Sequence, residues 1–64
     1  MKLDRTDRKI LAELLRDGRQ SLTELAEHIG LSLSPCHRRV RALEDAGVIA
    51  GYRAELCAKE LGLN

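Results

Sequence analysis

A mainly α fold is predicted, three short helices followed by a small β-hairpin, and three observations predict it. Apolar residues recur at the helical period in three stretches of the chain. Only the residues from Gly30 to about Ser34 separate the second stretch from the third. After Gly47 the helical period gives way to short β-type runs. Sixty-four residues hold one domain at most. A chain of that length buries only about 60% of its unfolded surface, so its stability is marginal unless it is stapled or self-associates.

The first helix follows Asp4, a favourable N-cap, with Asp7 at the third helical position, where a carboxylate suits the helix dipole. Its apolar positions are Ile10, Leu11, Leu14 and Leu15, and Asp17-Gly18 ends it. Ser21 opens the second helix, and Glu24 completes a Ser-x-x-Glu capping box. Leu22, Leu25, Ala26 and Ile29 form its buried stripe, and Gly30 suits a left-handed terminus.

The third helix begins between Ser32 and Pro35. Either Ser32 or Ser34 can cap it, and proline loses nothing in a first turn. Cys36, Val40 and Leu43 line one face, and Gly47 closes the helix. The expected core therefore includes Leu14, Leu25, Ile29, Val40 and Leu43. Two amphipathic helices joined by so short a glycine-containing turn form the helix-turn-helix pattern. Val48-Ile49 and the run from Tyr52 to Leu56 flank Ala50-Gly51 and predict the hairpin, or wing. The tail from Cys57 to Asn64 reads either as a short helical turn or as the start of a linker.

Composition narrows the function. A chain 33% charged and 44% hydrophobic is a globular one. No apolar run approaches the roughly 20 residues needed to span a bilayer, and no signal-peptide pattern opens the chain, so a cytoplasmic protein is expected, with no membrane partner. Cys36 lies on the apolar face of the third helix and reads as a reduced, buried thiol, a bridge to Cys57 being the competing reading. His28, His37 and the cysteines lack metal-ligand spacing, so no metal is expected. The chain shows no phosphate-cradling glycine loop, no nucleophile motif and too little length to enclose a substrate pocket. An enzyme is not expected, nor a cofactor.

Net charge is only +1, so any case for a nucleic-acid partner must come from where the charges sit. Residues 37 to 41 read His-Arg-Arg-Val-Arg, and the acids Glu44-Asp45 come after them. This order is reversed for an isolated helix, whose dipole favours early acids and late bases by about 0.3–1 kcal/mol each. A local rule broken without compensation points to function. Phosphates and guanine edges would supply the missing anions, because arginine forks match both. At about 100° per residue, Ser34, Arg38, Arg41, Ala42 and Asp45 face away from the core, with His37 on the flank.

The candidate DNA-binding set is thus Ser32, Ser34, His37, Arg38 and Arg41, with flanking contributions from Arg39, Arg19, Ser21, Thr23 and Arg53. Arg39 lies nearer the core edge, where an intramolecular ion pair competes with a phosphate contact. Ser21 and Thr23 open the second helix, whose N–H groups suit a phosphate. Capping alone also explains Ser21. Arg19 and Arg53 are either phosphate contacts or solvated surface.

Placed on these helices, the residues resemble the N-terminal domain of the Lrp/AsnC family of leucine-responsive and feast/famine regulators. The likeness runs from Leu3 to about Gly62. It includes Leu3-Asp4 with Asp7, Ile10-Leu11 with Leu14, and Asp17-Gly18-Arg19 with Ser21. It continues through Glu24-Leu25-Ala26, Gly30-Leu31-Ser32, Pro35-Cys36, Arg39-Val40, Leu43-Glu44, Gly47, Ile49 and Gly51-Tyr52. The resemblance implies a winged helix-turn-helix domain over residues 3–64, its motif at 22–41 and its recognition helix at about 33–46 in the major groove. It also implies dimers or larger even-numbered assemblies that regulate transcription. Two departures stand out. Leu33 occupies a position where relatives often carry a small residue or proline. The chain also stops where relatives continue into an effector-binding α/β domain, so no small-molecule effector is expected to bind these residues.

Sequence-specific binding of double-stranded DNA, as a homodimer, is the leading expectation. The expected pairing surface is the first helix with the segment Tyr52 to Leu63. A winged-helix module for protein–protein contact is the alternative. The outward arginines favour DNA, since a protein-binding helix more often presents apolar anchors.

Overall fold

Two reciprocal capping boxes set where the first two helices begin in the computed structural model, which describes residues 1–62. Helix α1 spans Arg5–Arg16, α2 spans Leu22–Ile29 and α3 spans Leu33–Asp45. At α1 the Asp7 N–H donates to the Asp4 carboxylate at 2.8 Å, and the Asp4 N–H donates back to the Asp7 carboxylate at 3.2 Å. At α2 the Glu24 N–H donates to Ser21 Oγ at 3.1 Å, and the Ser21 N–H donates to Glu24 Oε1 at 2.9 Å. Each box satisfies two backbone donors that a helix start would otherwise leave without partners.

Helix α2 stops at Gly30, whose φ of 74° carries no Cβ penalty. The Leu31 N–H then returns to the Ala26 carbonyl at 2.9 Å, which turns the chain sharply toward α3. Ser32 is the N-cap of α3, but its side chain makes no capping bond. Pro35 sits in the first turn, as its missing N–H allows. At the far end, Gly47 has a φ of 78°. There the N–H groups of Val48 and Ile49 both donate to the Leu43 carbonyl, at 3.0 and 3.1 Å.

The three helices pack pairwise around Ile10, Leu25, Ala26, Cys36, Val40 and Leu43, all buried. Leu25, Val40 and Leu43 lie where the periodicity placed them. Leu14 and Ile29 are only partly buried, packed on the margin with Leu3, Leu11, Leu22, Leu31 and Ile49. Leu15 is 89% exposed. It stands about 100° round α1 from Leu14, beyond the reach of the other helices.

The expected hairpin does not form, and no strand occurs among the described residues. The first β-type pair, Val48-Ile49, has its N–H groups committed to the end of α3. The run from Tyr52 to Leu56 then has no partner strand, and an isolated two-stranded hairpin is marginal in water. A side-chain hydrogen bond joins the segment to α3: the Tyr52 hydroxyl donates to Glu44 Oε2 at 3.0 Å. Beyond it, the Leu61 N–H bonds the Cys57 carbonyl at 3.2 Å, so the tail takes the helical-turn alternative. The end of the expected pairing segment, Leu63, lies outside the described residues, as does Asn64. No helix among the described residues is long and apolar enough to cross a membrane.

Leu43 touches the centre of this core and has no exposed surface. Leu43→Ala is expected to cost about 2–5 kcal/mol, most of the stability of so small a domain. Thermal or urea unfolding of the variant measures the loss.

Candidate nucleic-acid interface

With Cys36, Val40 and Leu43 turned inward, the outer surface of α3 is built from two adjacent rows of residues four apart. One row runs Leu33, His37, Arg41, Asp45 and the other Ser34, Arg38, Ala42, and all seven side chains are exposed. His37, Arg38, Arg41, Ala42 and Asp45 line a shallow depression between the rows. Arg41 Nε lies 3.7 Å from Asp45 Oδ1, with the two side chains 68% and 71% exposed. A pair so open to water holds weakly and gives way readily to another anion. Arg38 makes no ion pair among the described residues. The surface therefore presents two guanidinium groups and an imidazole with little internal commitment.

Arg39 points the other way. Its Nη1 lies 2.7 Å from Asp4 Oδ2 and 3.2 Å from Asp7 Oδ1, joining α3 to the start of α1. Of the two alternatives the sequence left open, the structure shows the ion pair. Asp7 is buried, so the guanidinium compensates a carboxylate withdrawn from water. The Arg39 hydrogen bond also holds the Asp4 carboxyl below its ordinary value of 3.8, helped by the Asp7 N–H. Asp4 in turn raises the Arg39 guanidinium further.

The flanking candidates are scattered over other elements. Ser21 is engaged as a cap, and its backbone N–H holds the Glu24 carboxyl below 4.5. The capping reading of Ser21 is the one the structure shows. Thr23 is exposed in the first turn of α2. The Arg19 N–H donates to Asp17 Oδ1 at 2.9 Å, and the residue is exposed. Arg53 is exposed on the segment after α3.

A polar clasp between α1 and α2 had no signal in the sequence. Gln20 Nε2 donates to the carbonyls of Glu13 and Asp17, at 2.9 and 3.0 Å. Its Oε1 meets His28 Nδ1 at 2.9 Å, and the same nitrogen lies 3.0 Å from Glu13 Oε1. The clasp fixes the approach of α2 and thereby the turn that leads into α3.

Two helices joined at a left-handed glycine form a helix-turn-helix arrangement, here with an exposed cationic face on the second helix. The sequence pattern of the winged helix-turn-helix DNA-binding family matches residues 3–50. The chain belongs to that family. Within it, the Lrp/AsnC transcriptional regulators are its relatives, and the part matched is their amino-terminal DNA-binding domain. It is 60% identical over 62 residues to the leucine-responsive regulatory protein of Rhizobium meliloti, covering 97% of this chain and 40% of that protein. A transcriptional regulator of Neisseria meningitidis, solved with L-methionine, superposes with a TM-score of 0.90 at 47% identity. That alignment covers 94% of this chain and 39% of the other. An AsnC family regulator of Agrobacterium tumefaciens gives 0.87 at 41% identity, covering 92% and 39%. The chain thus spans about two fifths of the length of these relatives. The family is one of transcriptional regulators, not of enzymes.

The caps and clamps carry a pH consequence. Asp4, Glu13 and Glu24 all have native carboxyls below their ordinary values, Glu13 chiefly through Arg16. The native state therefore binds fewer protons than the unfolded chain in acid. The stability they contribute is complete above the ordinary values of 3.8 and 4.5, and is lost as the pH falls through the lower native ones. Asp4→Asn is expected to lower the melting temperature near neutral pH, with wild type and variant converging in acid. A pH series of thermal melts reads both.

Proposed function

We propose that these 64 residues are a sequence-specific DNA reader in which α3 is the recognition helix of a motif at 22–41. The exposed pair Arg38 and Arg41 carries the reading, since both guanidinium groups face outward while Arg39 anchors the same helix from behind. In this reading Ser32, Ser34 and His37 complete the contact surface. Arg19, Thr23 and Arg53 supply flanking phosphate contacts, whereas Ser21 acts first as a cap and Arg39 first as an anchor. The segment 48–56 serves as the wing and brings Arg53 to the backbone without hairpin pairing. Such a reader works in the cytoplasm.

Tight binding on this reading needs two copies, because one recognition helix covers few base pairs and a pair reaches successive major grooves about 34 Å apart. An open groove between the C-terminal half of α1 and residues 48–55 supports the pairing. Leu11, Leu14, Leu15, Val48, Ile49 and Tyr52 contribute its apolar lining. Leu15, Val48 and Tyr52 are all exposed there, which suits a second copy better than a small molecule enclosed on every side. Response to an amino acid is assigned to residues outside this span.

Arg38→Ala and Arg41→Ala are expected to fold normally and to weaken DNA binding. The loss is roughly 5- to 150-fold for a base-edge contact. A phosphate contact instead lowers the log–log salt slope by about one. Unchanged affinity and slope in both variants would overturn the role given to α3. Sedimentation of the complex on a palindromic site is expected to give two chains per duplex, and a strict one-to-one complex contradicts the pairing. Leucine and other amino acids, added at fixed salt, are expected to leave the affinity of the 64-residue chain unchanged.

A further inference from the structure

Leu33 is the first residue of α3, and 50% of its surface is open. A leucine beside Cys36 and Val40 in angle has every opportunity to join the core, yet it does not. It is absent both from the buried core and from the partly buried residues packed against it, which include Leu22, Ile29 and Leu31. Leu33 heads the exposed row of α3 that continues with His37 and Arg41. Its neighbours Ser32 and Ser34 are both exposed. The Ser32 hydroxyl is not used to cap α3, in contrast to the side chains of Asp4 and Ser21 at the other two helices. The tip of α3 is thus an apolar side chain set between two exposed hydroxyls, on a helix whose remaining outer face is cationic.

We infer that Leu33 is a specificity-determining residue that reads the C5-methyl group of a thymine. The inference rests on α3 entering the major groove, as proposed above. Along that groove every base edge presents hydrogen-bond donors or acceptors, and the thymine methyl is the one apolar feature. An isobutyl group has no use for the former and removes the latter from water. The N-terminal residues of a recognition helix are those that contact base edges, and Leu33 is the first of them. Arg38 and Arg41 supply affinity through guanine edges or phosphates, while Leu33 adds a preference at a position they do not read. A leucine contact cannot be mimicked by cytosine, which offers an amino group and no methyl there.

The test removes the methyl and nothing else. The 64-residue chain selects its sites from a random duplex pool, and each thymine of the selected site is then replaced singly by deoxyuridine. Wild type is expected to lose about fourfold in affinity at one thymine per half-site, the worth of roughly one buried methyl group. Leu33→Ala is expected to bind the thymine and deoxyuridine versions of that position equally, to keep the wild-type profile elsewhere, and to melt with wild type because Leu33 lies outside the core. A Leu33→Ala profile identical to wild type at every thymine overturns the inference, as does a wild type indifferent to every methyl. Arg38→Ala and Arg41→Ala on the same site separate the two readings. If they weaken binding while the leucine profile is unchanged, only the leucine assignment fails. If neither weakens it, the placement of α3 fails and the inference with it.

Discussion

Arg39 reaches from α3 to two carboxylates at the start of α1, and the orientation of α3 depends on that reach. The contact is not a surface ornament. Asp7 is buried, and the same carboxylate also closes the Asp4 capping box, so one guanidinium supports both a helix start and a helix–helix angle. Removing it would leave a carboxylate out of water with a single remaining partner, which is costlier than losing an exposed pair. The clamp works from the rear of α3 and leaves its outer rows untouched. A helix anchored through Arg38 or Arg41 would have one fewer outward cation to present.

This division explains how a chain with a net charge of only +1 presents a cationic face. Asp4 and Asp7 are drawn to Arg39, Glu13 to Arg16 and His28, and Glu24 to the start of α2. Glu44 accepts from Tyr52 at the end of α3. Asp4, Asp7 and Glu24 are held at helix starts, Glu13 between α1 and α2, and Glu44 against the segment that follows α3. The outer rows of α3 retain only Asp45, at the end farthest from Leu33. Local field, rather than total charge, is what a polyanion meets on approach.

The helices were legible because their signals are local. Asp4 with Asp7 and Ser21 with Glu24 mark starts within one turn, and Gly30 and Gly47 mark ends by a backbone conformation that other residues resist. The start of α3 was ambiguous for an equally local reason, since two serines precede Pro35 and either suits a cap. The outward placement of Arg38 and Arg41 followed from the helical period alone. What the sequence left open or hid depends on distant partners. The Arg39 clamp spans 35 residues to Asp4, and the clasp of Gln20 and His28 closes on Glu13 only once α1 and α2 have packed. The expected hairpin is absent among the described residues because a β-type run reports only the capacity to pair. It cannot report whether a neighbouring strand exists.

The two cysteines end up in opposite chemical situations. Cys36 has no exposed surface, and burial pushes its thiol up from the ordinary value. Cys57 is exposed on the tail after α3. A thiol-specific reagent at neutral pH therefore meets one site in the folded chain, because the thiolate is the nucleophile and only one sulfur can be approached. The wild-type sequence accordingly carries its own attachment point for a fluorophore or spin label. It lies next to the surface assigned to a second copy, where the distance between two labels would register the approach of one chain to another without altering a residue.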